Sequence, residues 1–151
     1  MTVPELTNEI DQAFGDVSLG DGIGLFESQA IDDYATEKAQ QAERSRDERQ
    51  DWRLIDEGDL SYAHSSLSFV DAKGMAFLLP AYMVASLDRD FGHDPVFHLT
   101  QCGYELFIEL DHAQKKAVLH YLEWVATNPD YEFDRPHVIK SINEFWSRQI
   151  E

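Results

Sequence analysis

Apolar residues recur at helical intervals near both ends of this chain. Behind Thr2 and Glu5, which have the spacing of a capping box, Leu6, Ile10, Ala13 and Phe14 fall on one face, with Pro4 tolerated in the first turn. The spacing predicts a helix of about three turns. Glycines at 15, 20, 22 and 24 interrupt it and leave a loop or short extended piece ending at Leu25. From Phe26 the pattern resumes through Ala30, Tyr34 and Ala42, and Arg44 with Glu48 adds an i,i+4 pair, so one long polar helix is expected. Its second half, 37–51, has almost nothing to bury and reads as a charged helix or a linker, after which Trp52 and Ile55 return the chain to the core.

The middle of the chain has a different rhythm. Residues 67–79 alternate around Asp71-Ala72-Lys73-Gly74, which predicts a β-hairpin with Gly74 in a left-handed turn. Pro80 then ends the second strand and opens a helix through Tyr82, Val84 and Leu87, closed by the Asp88–Gly92 stretch. Two short apolar pieces, 96–100 and 104–108, fit either state, and each can add a strand. Asp111 and Gln114 form a second capping box ahead of a broad stripe of Ala117, Val118, Tyr121, Leu122, Trp124 and Val125. Asp134 and Pro136 start a last helix whose apolar face is Val138, Ile139, Ile142, Phe145, Trp146 and Ile150. The expected architecture is a single α+β domain over 1–151, with a small antiparallel sheet built on the central hairpin 67–79 and packed against several helices.

Composition fits a packed domain: 151 residues, 43% hydrophobic, with nine Phe, six Tyr and three Trp. The longest apolar run, 75–85, falls well short of the roughly 20 residues that span a bilayer. The first fifteen residues carry no Lys or Arg, so the basic start of a secretory or transit signal is missing and a cytoplasmic address is expected. The one cysteine, Cys102, agrees with a reducing compartment. The largest departure from average is charge: 29 acids against 12 bases give a formal net charge of -17. Nucleic acid and anionic membrane surfaces are therefore poor partners, whereas a basic protein is a natural one.

Tests for chemistry fail one after another. Gly20 and Gly22 would need a third glycine at 25 for a dinucleotide loop, where Leu25 stands. Cys102 lacks any protease signature, and a lone cysteine beside apolar segments is ordinarily a buried small residue. Glu109 and His112 have the Glu-x-x-His spacing of a carboxylate-bridged metal site without the second copy that chemistry requires. The run Asp88, Asp90, Gly92, Asp94 begins like a calcium loop, yet glycine occupies a ligand position and Leu99 the place of the bidentate glutamate. No catalytic, cofactor-binding or metal-ligating set is assigned.

Several stretches are nevertheless familiar as a group. Asp51-Trp52, the run Leu67 to Gly74, Phe77-Leu78-Leu79-Pro80-Ala81-Tyr82-Met83, and Leu110-Asp111 with Gln114, Ala117, Val118 and Leu122 resemble a bacterial family known as domain of unknown function 6714. The resemblance runs from about Phe14 to Val125 and is most specific at the expected hairpin running into Leu-Pro-Ala-Tyr. It implies a bacterial source and a compact standalone domain, and brings no activity or catalytic residue with it.

Acidity, small size and the failed motif tests lead to a protein-interaction module, whether antitoxin-like, immunity-like or an adaptor. Its expected docking face for a basic partner is Glu37, Glu43, Asp47, Glu48 and Asp51. The competing expectation, a small hydrolase or metal-dependent enzyme, requires His93, Asp94, His98, Cys102 and His112 to converge from distant positions.

Overall fold

The computed structural model describes residues 1–151, and every regular element in it is helical. Eight α-helices follow in order: α1 (Val3–Phe14), α2 (Leu25–Asp32), α3 (Glu37–Arg44), α4 (Glu57–Tyr62), α5 (Ala72–Ala85), α6 (Val96–Thr100), α7 (His112–Thr127) and α8 (Arg135–Glu144). Short 3-10 turns at Trp52–Leu54, Ser66–Ser68, Pro129–Tyr131 and Trp146–Gln149 complete the set. The chain divides into two compact units, one made of Met1–Gly15 with Val96–Glu151, the other of Asp16–Pro95.

The expected α+β class is therefore wrong, and the error lies in the hairpin. Residues 72–85 form a 14-residue helix, α5, in place of a turn and a second strand. Asp71 decides the outcome locally: its side chain accepts the Gly74 N–H at 2.9 Å as an N-cap, so Asp-Ala-Lys-Gly is a first helical turn. The same Oδ1 accepts the Ile23 N–H at 3.1 Å and ties the helix start to the glycine loop. Gly74 does not occupy the left-handed region; a Cβ there would overlap the Ile23 carbonyl oxygen, so its role is close approach of two backbones. Met75 and the unbroken run from Phe77 to Met83 are all buried, because α5 is apolar on every side and runs through the core of its unit. An unbroken apolar run reads equally well as a buried strand or a buried helix, and the cap is what separates them. Pro80 lies inside the helix and removes one backbone bond, a cost of about 3 kcal/mol in an ordinary helix interior, offset here by burial on all faces.

Other boundaries also move. The long polar helix expected from Phe26 is two helices, α2 and α3, parted at Tyr34, whose φ of 56° is the only positive value at a non-glycine residue. Ala35 N–H reaches Ala30 O and Tyr34 N–H reaches Ile31 O, the two bonds of a Schellman stop. Arg44 does not pair with Glu48; it bonds Glu27 at 2.5 Å and the carbonyls of Asp21 and Gly22. Residues 96–100 are helix α6, and 104–108 make turns without a strand.

In the unit formed by the two ends of the chain, both expected capping boxes are present, Thr2 with Glu5 and Asp111 with Gln114. Leu6, Ile10 and Phe14 of α1 are buried, as are Ala117, Val118, Tyr121, Leu122 and Val125 of α7, and the two helices pack on each other. Glu9 and His120 join them at 2.7 Å. Helix α8 stops at Glu144, short of its expected face: Val138 is buried, Ile139 is exposed, and Trp146 is buried from the 3-10 turn that follows.

Candidate functional site

The five acids expected to dock a partner all lie in the Asp16–Pro95 unit, which holds 17 acids and 7 bases. Each is engaged in a different way. Glu37 opens α3 and is exposed. Glu43 pairs with Arg46 at 2.6 Å. Glu48 accepts the backbone N–H groups of Gln50 and Asp51 at 3.0 and 3.2 Å. Asp51 caps the Trp52–Leu54 turn and grips Arg53 at 2.8 Å. That grip and its two hydrogen bonds hold the Asp51 carboxyl below the usual range.

Asp47 is the unusual member. Its two oxygens accept the N–H groups of Phe26 and Glu27 at 2.6 and 3.3 Å, capping α2 from 20 residues away along the chain. Gly24 makes room for it, since a Cβ there would meet the Asp47 carboxylate at 2.5 to 2.6 Å. Burial pushes the Asp47 carboxyl above its ordinary value, against the pull of those two N–H donors.

Asp47 and Glu48 share one cleft with Leu25, Phe26, Arg46, Leu54, Ile55, Asp56 and Asp59, enclosing about 280 Å³. The start of α2, the 45–50 loop and the start of α4 build it. Asp56 caps α4 through the Gly58 N–H at 2.7 Å, while the Asp59 carboxylate has neither a hydrogen bond nor an ion pair. Arg46 places its guanidinium 4.3 Å from the centroid of the Phe26 ring. Leu54, at the cleft, is 70% exposed. The arrangement is four carboxylates and one cation around an apolar and aromatic floor, a surface that favours cations with long apolar stems. Of its members only Asp47 and Glu48 were singled out in the sequence; Phe26, Leu54, Asp56 and Asp59 were missed. The signal for Asp56 was its place before a helical run, as an N-cap residue.

The residues that an enzyme would need are divided between the units. His93 and Asp94 belong to Asp16–Pro95, where the His93 ring stacks on His64 with centroids 4.9 Å apart and meets the edge of Phe91. His98, Cys102 and His112 belong to the other unit. Burial pushes the Cys102 thiol up and the His98 imidazole down, opposite to what thiolate activation and imidazolium formation require. No three His, Cys, Asp or Glu side chains are grouped to hold a metal ion. No helix is long and apolar enough to cross a membrane.

Among known proteins, a family model described as "Family of unknown function (DUF6714)" matches residues 2–150. No curated protein and no solved structure matches the chain.

Proposed function

The chain belongs to DUF6714, a family of unknown function, and from its surface chemistry we propose that it is a protein-interaction module that binds a basic protein through the Asp16–Pro95 unit. The observation that supports this reading is the cleft at Asp47, Glu48, Asp56 and Asp59, where carboxylates surround exposed apolar surface in the more acidic unit. Charge of this density speeds encounter with a cationic partner and disfavours anionic ones, so nucleic acid and anionic membranes are outside the proposed range. The role fits an antitoxin-like, immunity-like or adaptor protein acting in the cytoplasm.

The test is affinity capture with the full chain at low salt and again at about 0.5 M, where screening shortens to a few ångströms. A basic protein retained in stoichiometric amount at low salt, released at high salt and lost with the Glu43→Lys, Glu48→Lys pair supports the reading. Retention that ignores both salt and charge reversal overturns it.

A further inference from the structure

The cleft carries a more specific inference, which rests on the interaction reading. We infer that it is an arginine socket: it takes one arginine side chain of a basic partner, in exchange for the chain's own Arg46.

Size is the first argument. About 280 Å³ lies below the roughly 300–1,000 Å³ of pockets that hold drug-sized ligands, so one long side chain is the scale of occupant that fits. Chemistry is the second. An arginine has an apolar stem and a planar cationic head; Leu54 and Ile55 offer surface to the stem, and Phe26 offers a ring face to the head. The lining bears four carboxylates, of which Asp47, Glu48 and Asp56 are oriented by backbone N–H groups. Asp59 is left with no partner in the chain, although a carboxylate is a strong acceptor for a guanidinium.

Arg46 is the third argument, because it shows the chemistry the floor accepts. Its guanidinium lies 4.3 Å over Phe26 while its side chain stays 58% exposed, anchored to Glu43 at the surface. An exposed pair of this kind contributes little to stability, so Arg46 is readily displaced. An incoming guanidinium takes over the ring face, Arg46 swings into solvent with Glu43, and Asp59 gains the ion pair it lacks. Lysine is a weaker occupant, because its compact and strongly hydrated ammonium neither stacks nor forms a fork.

The experiment is an NMR titration of the full-length protein with three capped tripeptides: Leu-Arg-Leu, Leu-Lys-Leu and Leu-citrulline-Leu. The expected result is shifts centred on the amides of Phe26, Leu54, Ile55 and Asp59, with arginine bound more tightly than lysine and citrulline not bound. Asp59→Asn, which removes no cap, weakens the arginine peptide about two- to five-fold. Arg46→Ala tightens it by a similar factor, and tightens it more than the lysine peptide, since loss of a competing stack is specific to the guanidinium. Shifts spread over the acidic surface, equal for lysine and arginine and unchanged by Asp59→Asn, would overturn the socket while leaving salt-sensitive capture of a basic protein intact. Absence of any shift at the cleft, with that capture still observed, overturns it as well.

Discussion

Tyr34 is 96% exposed and sits at φ 56°, in a helix stop that usually ends on glycine. A non-glycine residue in the left-handed region costs about 1–2 kcal/mol, and this side chain has almost no packing to set against that. Tyr34→Gly is therefore expected to stabilise the protein by about 0.5–1 kcal/mol, the gain being trimmed by the greater freedom of glycine in the unfolded chain. Urea midpoints of the two proteins check it, and a lower midpoint for the variant would contradict it. At Asp47 the question is one of pH. Burial raises this carboxyl above its ordinary 3.8, so the folded chain holds the proton more tightly than the unfolded chain. The stability this linkage contributes is full below 3.8 and is lost as pH rises through the higher folded value. Wild type should accordingly lose stability relative to Asp47→Asn as pH climbs out of the acid range, and a difference that is flat or rising with pH would count against it. The sequence identifies Asp47 as one acid among many; it cannot say that α2, twenty residues back, borrows it as a cap.

Between elements, what was legible in the sequence was whatever is local. Thr2 with Glu5 and Asp111 with Gln114 announce helix starts within four residues, and both capping boxes formed where their spacing placed them. The apolar run after Asp71 was misread because alternation over 67–70 suggested a strand, whereas Leu67 and Val70 are buried from a 3-10 turn and a loop. What then holds α5 is a contact no periodicity reveals. The Tyr82 hydroxyl lies 2.9 Å from the carbonyls of both Leu60 and Ala63 and 3.1 Å from the Ser66 hydroxyl. Those carbonyls sit at the end of α4; Ala63 O also accepts the Ser66 N–H at 3.0 Å, and Tyr82 brings the further donor from α5. The site is dry enough that burial pushes the phenol up to about 12. Tyr82→Phe keeps the ring and takes the hydroxyl donor from the Leu60 carbonyl; the expected loss is about 1–3 kcal/mol in denaturant unfolding. A loss no larger than that of an exposed Tyr→Phe change, such as Tyr62→Phe, would show that water replaces the hydroxyl. The cleft was illegible for the same reason: its nine residues come from 25–26, 46–48 and 54–59, and only folding makes them neighbours.

At the scale of the whole molecule, charge acts on folding and on binding in opposite directions. A net charge of -17 on 151 residues repels itself most strongly in the compact state, where the carboxylates are closest. Ion pairs relieve it only in part: within the Asp16–Pro95 unit Arg46–Glu43, Arg53–Asp51 and Lys73–Asp21 are exposed and each contributes little, whereas Arg44–Glu27 is largely buried. Raising salt from about 0.05 to 0.5 M shortens the screening length to a few ångströms, which weakens long-range repulsion more than pairs in contact. The thermal midpoint should therefore rise with salt over this range. A basic partner, held by the same field acting across an interface, should be released over that range. Calorimetry of the free protein and binding measured in the same buffers separate the two effects. If the midpoint falls with salt instead, specific pairs between the carboxylates and the bases outweigh the long-range repulsion in the fold. If the midpoint rises while affinity stays level and ignores charge reversal, binding rests on apolar contact such as that at Phe26, Leu54 and Ile55, and the charge-based reading of the interface fails.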